Sequence, residues 1–135
     1  MRDGFTRKVE VPLSPDEALA DFQKHWQATL VLLSGDEAGT EYSLESRTIV
    51  LGRGESADLR FSDASLSSEH AALEFCDSGY RLRDLGSMNG TLLNGGDVKA
   101  AELKNGDRLQ VGAKTLQYVL AERATGPRTY EIPVA

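Results

Sequence analysis

Ala71-Ala72-Leu73-Glu74-Phe75-Cys76-Asp77-Ser78-Gly79-Tyr80-Arg81-Leu82-Arg83 is the stretch whose pattern decides the fold. Ala71, Leu73 and Phe75 alternate with Ala72 and Glu74, and Tyr80 and Leu82 alternate with Arg81 and Arg83. A period of two puts one set of side chains on a buried face and the other toward water, as in a half-buried strand. Ser78-Gly79 supplies the turn between the two strands. Working outward, Leu109 and Val111, then Leu116, Tyr118 and Leu120, repeat the same period. Leu30 to Leu33 is a continuous apolar run, which predicts a strand covered on both sides. Asn94-Gly95-Gly96, Asn105-Gly106-Asp107 and Gly112-Ala113-Lys114 add turns. Strands at roughly 8–12-residue spacing with such turns predict an all-β sandwich or barrel.

The N-terminal segment, residues 1–27, reads differently. Ser14-Pro15-Asp16-Glu17 is a helix start: Ser14 can cap, Pro15 suits the first helical position, and Glu17 completes a capping box. Leu19, Phe22 and Trp26 follow at helical spacing, with Asp21 and Lys24 toward water. The apolar stripe is expected to pack on the sandwich; the other reading is a partner-binding or dimerising helix. Residues 122–135, with Gly126-Pro127 and Pro133, read as a flexible tail. The expected division is therefore an extension over 1–27, a β-domain over 28–121 and a tail over 122–135.

A chain of 135 residues with 40% hydrophobic and 27% charged residues can bury one core. No apolar run approaches the roughly 20 residues needed to span a bilayer, and the first eight residues lack the apolar stretch of a secretory signal. The single cysteine, Cys76, cannot form an intrachain disulfide and is expected to point into or across the sheet. A reduced, cytoplasmic setting is the expectation. The net charge of −6 argues against nucleic acid or an anionic membrane as the main partner. It leaves a single phosphate available as ligand, because one phosphate responds to a few local donors.

Four short words fall where predicted strands end: Gly52-Arg53, Ser67-Ser68-Glu69-His70, Ser87-Met88-Asn89-Gly90 and Asn94-Gly95. Loops carried by a rigid scaffold are where binding residues concentrate. Arg53 offers a guanidinium fork, Ser67 and Ser68 offer hydroxyls, and Asn89 can donate and accept at a peptide backbone. The set suits an oxyanion on an extended peptide.

These words resemble the forkhead-associated domain, a phosphothreonine-peptide-binding family. Leu51-Gly52-Arg53-Gly54 with Ala57-Asp58-Leu59 is similar to its opening signature, Ser67 to His70 to its S-x-x-H, and Gly86 to Thr91 to its G-S-x-N-G-T. Asn94-Gly95, Leu103, Gly106-Asp107 and Val111-Gly112 match the rest, so the resemblance covers residues 28–121. It implies a two-sheet β-sandwich with binding loops at one end, here with a short helical extension at its N-terminus.

The resemblance also implies roles. Arg53 would contact the phosphate, Ser67 would donate its hydroxyl to a phosphate oxygen, and Asn89 would hold the peptide backbone beside the phosphothreonine. Ser87 and Met88 share the Asn89 loop. Ser68 stands where many members carry a cation, so the site would bind more weakly or borrow one from Arg60 or Arg83. Met88 departs from members with a hydroxyl there. Gly52, His70, Gly90 and Asn94 would support the loops, Asn94 and Gly90 chiefly through turn chemistry. For Arg53 the competing reading is a surface pair with Asp58 or Glu55.

A hydrolase built on Ser67 and His70 is set aside, because their spacing in a loop does not aim the imidazole at the hydroxyl and no acid is evident to orient it. No cofactor or metal is expected. The leading function is a non-enzymatic phosphothreonine reader in a Ser/Thr kinase pathway. The alternative is a phosphate-independent assembly module that uses the helix stripe or a sandwich face. Thr129-Tyr130-Glu131-Ile132 in the tail places a branched aliphatic three residues after a threonine, a ligand pattern several forkhead-associated modules accept; the favoured reading is an ordinary unmodified terminus, and the alternative is self-inhibition or head-to-tail self-association through phosphorylated Thr129.

Overall fold

The computed structural model describes residues 13–123. Helix α1 spans Pro15–His25, and eleven strands follow. They are β1 (Trp26–Leu32), β2 (Glu41–Ser43), β3 (Thr48–Gly52), β4 (Leu59–Arg60), β5 (Ala71–Cys76) and β6 (Gly79–Asp84). The remainder are β7 (Thr91–Leu93), β8 (Gly96–Asp97), β9 (Ala100–Glu102), β10 (Arg108–Val111) and β11 (Lys114–Glu122). One sheet has the order β9-β6-β5-β3-β4 and the other β2-β1-β11-β10-β7-β8. All neighbours are antiparallel except β3 and β4. This is the expected two-sheet sandwich.

The hairpin that decided the fold pairs Leu73 with Leu82 and Phe75 with Tyr80. Its inward residues meet Leu30, Leu109, Leu116 and Tyr118 of the other sheet in one core. Burying each such leucine contributes about 1.5–3 kcal/mol. The strand from the Leu30–Leu33 run is covered on one side only. Leu30 and Leu32 are buried, Val31 is half-buried and Leu33 is exposed, because Val31 sits on the outer face opposite Gln117. Four apolar residues in a row carry no sign of which face is open. Cys76 ends β5 half-buried.

Helix α1 begins as expected: Glu17 N–H donates to Ser14 Oγ, and Ser14 N–H donates to the Glu17 carboxylate. Leu19 and Phe22 are buried in the core, with Phe22 edge-on to Phe75 (5.1 Å) and Tyr80 (6.4 Å). The apolar stripe is thus consumed by the sandwich. Trp26 does not continue it. The helix ends at His25, Trp26 takes extended backbone (φ −134°, ψ 150°), and the side chain is 36% exposed as the first residue of β1. Thr129 lies outside the described residues.

This topology gathers the loops after β1, β3, β4, β6 and β10 at one end. Ser34 and Ser65 tie them together: Thr115 N–H donates to Ser34 Oγ, and Ala113 N–H donates to Ser65 Oγ.

Candidate functional site

Gly52 and Arg53 leave β3 and run against residues 67–68. Arg53 N–H donates to Ser67 O and Gly54 N–H to Ser68 O, both at 3.0 Å. The approach is so close that a Cβ on residue 52 would stand 2.1 Å from Ser68 O, so only glycine fits. Arg53 is exposed, and its Nε donates to Leu66 O at 2.9 Å. That bond fixes the guanidinium plane and leaves its two Nη groups unspent. Asp58 is not its partner; the Asp58 carboxylate accepts from Val50 N–H instead.

Ser67 is held on three sides. Its carbonyl takes the Arg53 bond, its N–H donates to His70 Nδ1 (3.1 Å), and its Oγ accepts from Met88 N–H (3.0 Å). Because the hydroxyl oxygen is the acceptor in that last bond, its proton stays free to donate outward. His70 is fully buried, and its Nε2 donates to Gly90 O at 2.7 Å. The imidazole therefore joins the 67–70 loop to the 87–90 loop and faces the Ser67 amide, away from the hydroxyl.

Asn89 donates from Nδ2 to Ser65 O at 2.8 Å, which leaves its Oδ1 to the exposed surface. Met88, between Ser67 and Asn89, is 87% exposed. Ser68 is exposed beside Arg53. Ser87 faces the other way: its hydroxyl donates to Asp84 and accepts from Gly90 N–H, both within the loop. Arg53, Ser67, Ser68, Met88 and Asn89 thus share one surface, with Gly52, His70, Ser87 and Gly90 beneath it. Asn94 is elsewhere. At the other end of β7, in the left-handed turn with Gly95, it accepts from Arg108 N–H and donates to the Asp107 carboxylate.

Two contributors escaped the sequence reading. Asp84 gathers the amides of Gly86 and Ser87 and the hydroxyls of Ser87 and Thr91. Burial pushes its carboxyl up, but those four donors outweigh it and hold the pKa at about 2. The Asp84-Leu85-Gly86-Ser87 order, an acid two residues before a glycine turn, is the signal that could have revealed it. The second is a cleft of about 320 Å³ opening beside Asn89, lined by Ser65, Gly90, Leu92, Gln110, Gly112 and Ala113. Its walls come from strands and turns far apart in the chain. Among the described residues there is no cluster of His, Cys, Asp and Glu fit to hold a metal ion, and no helix is long and apolar enough to cross a membrane.

A two-sheet β-sandwich with arginine, serine and asparagine loops gathered at one end defines the class of fold, and the comparisons give its family. A family described as the inner membrane component of T3SS, cytoplasmic domain, matches residues 31–122. The glycogen accumulation regulator GarA of Mycolicibacterium smegmatis is 33% identical over 102 residues. That alignment covers 76% of this chain and 61% of GarA, so the chain spans less than two thirds of that relative. A solved FHA domain from work on phosphothreonine-dependent interactions superposes with a TM-score of 0.64 at 30% identity, covering 69% of this chain and 95% of its own. The FHA domain of FhaA, solved with the intracellular domain of another protein, gives 0.62 at 31% identity, covering 67% and 98%. The chain belongs to the forkhead-associated family.

Proposed function

We propose that this chain is a non-enzymatic reader of phosphothreonine peptides, acting on partners phosphorylated by a Ser/Thr kinase in the cytoplasm. One observation carries the reading. The Ser67 hydroxyl proton and the two Arg53 Nη groups are left free on one surface, after every other polar atom of those two side chains has been fixed by the loops. A phosphate bears about −1.5 to −2 charge at neutral pH and accepts several charge-assisted hydrogen bonds, so it matches that donor set. With its Nδ2 spent on Ser65 O, Asn89 keeps Oδ1 as an acceptor for the amide of an extended peptide, which supports the reading. The FHA relatives above, one characterised for phosphothreonine-dependent interactions, support the same reading.

The site performs no chemistry in this account. Ser67 lacks a base, since the His70 Nδ1 lone pair is occupied by the Ser67 amide. Gly52, His70, Ser87, Gly90 and Asp84 hold the loops, and Arg53, Ser67, Ser68, Met88 and Asn89 meet the ligand. The test is an oriented phosphothreonine peptide library, followed by calorimetry with the selected peptide. Arg53→Ala is expected to weaken binding by about 2–5 kcal/mol with little change in melting temperature. Binding within twofold of wild type, or equal affinity for the unphosphorylated peptide, refutes the assignment.

A further inference from the structure

We propose that Arg60 is the second cation of the phosphate pocket, supplying the charge that position 68 lacks; this rests on the phosphopeptide reading above. Arg60 ends β4, the edge strand paired in parallel with β3, in a register that sets it opposite Gly52. Its Nε donates to the carbonyl oxygen of Arg53 at 3.1 Å, which holds the side chain against the residue that heads the pocket. The two arginines are linked in series: Arg53 Nε is pinned to Leu66 O, and Arg60 Nε is pinned to Arg53 O. Each keeps its Nη groups for a ligand.

Neither is neutralised by a carboxylate among the described residues. The ion pairs among the described residues are Arg47 with Asp16 and Arg83 with Glu74. Asp36 and Glu37 border a cleft of about 350 Å³ with Arg60, yet neither is within ion-pair distance of it. Two guanidinium groups fastened to one backbone segment without a carboxylate between them repel each other, and a bound dianion relieves that repulsion. Arg83, the other cation offered as a candidate by the sequence, is committed. Its Nε and Nη2 donate to the two Glu74 oxygens at 3.1 and 2.7 Å on the outer face of the other strands. Ser68 adds only a neutral hydroxyl beside Arg53. The pocket thus draws its second charge from the edge strand instead of from the loop that carries Ser67.

The test uses the phosphopeptide selected by the wild-type protein, titrated against five variants, Arg53→Ala among them, at two salt concentrations. Arg60→Ala is expected to lose about tenfold or more in affinity, with a shallower salt dependence, while Arg60→Lys keeps most of the binding. Arg83→Ala is expected to bind like wild type. Adding Ser68→Arg to Arg60→Ala should restore affinity, because either position can then present the charge; that rescue separates a lost cation from a disturbed fold. Affinity of Arg60→Ala within twofold of wild type while Arg53→Ala fails overturns this inference alone. Failure of Ser68→Arg to rescue, or a loss in Arg83→Ala equal to that in Arg60→Ala, also overturns it. If the wild-type protein selects no phosphopeptide, the reading of the site falls, and this inference with it.

Discussion

Replacing Gly52 with alanine tests the crossing on which the pocket is built. The new Cβ would stand 2.1 Å from Ser68 O and 2.8 Å from Ser68 C, backbone atoms that cannot swing aside like a side-chain end. To reach ordinary contact the two segments must separate by more than about 1 Å. The Arg53–Ser67 and Gly54–Ser68 bonds, each at 3.0 Å, would then lengthen past useful range. Two backbone bonds at about 1 kcal/mol each, plus about 1–3 kcal/mol of overpacking, give a loss of about 3–5 kcal/mol. At about 4 °C per kcal/mol for a domain of this size, the melting temperature should fall by about 12–20 °C. Thermal unfolding followed by circular dichroism measures it, with Gly79→Ala as comparison. There the Cβ meets only Tyr118 Oη at 3.9 Å, so that variant should melt within a few degrees of wild type. A fall under about 4 °C for Gly52→Ala would show that the loops separate freely and that the crossing is not rigid.

Phe22→Ala should cost about 3–4 kcal/mol, since the ring is buried against Phe75 and Tyr80, whereas Trp26→Ala should cost no more than about half of that; equal losses in chemical denaturation would contradict the docking described. Tyr80→Phe removes a hydroxyl that donates to Ser46 O at 2.7 Å and should destabilise by about 1–2 kcal/mol, read from a urea midpoint shift at unchanged slope. Asp84 has a folded pKa of about 2 against an ordinary 3.8, so its contribution is present above pH 3.8 and is lost as pH falls toward 2. Asp84→Asn should be less stable at neutral pH yet lose less between pH 4 and 2. An acid-unfolding slope identical to wild type would refute the role given to the carboxylate.

Much of the fold was legible because local rules and tertiary packing agree. Ser14 and Glu17 form the box their spacing predicts, and the alternation of residues 71–83 is the registered hairpin itself. Trp26 shows where a periodic signal overreaches. The spacing from Phe22 to Trp26 fits a helix, but nothing in it says that the backbone turns extended at that residue to enter β1. Val31 shows that hydrophobicity without alternation does not report exposure. At the candidate site, the loop words were legible because their types suit turns and donors. The hydrogen bonds that commit Ser87 inward, leave the Ser67 proton outward and join Arg60 to Arg53 were not. Those depend on which atoms the folded loops bring together, over separations of 3, 7 and 21 residues, and residue type does not encode that.

The anchorage of Arg123 has a consequence for orientation. Its N–H donates to His25 O and its Nε to Trp26 O, so α1 and the end of β11 are fastened together at the pole opposite the binding loops. Lys114, at the loop pole, and Glu122 are separated by the length of β11, about 26 Å at the usual rise per residue. The fold therefore separates reading from tethering: the chain leaves the described domain at Arg123, about the length of β11 away from the loops that carry Arg53 and Ser67.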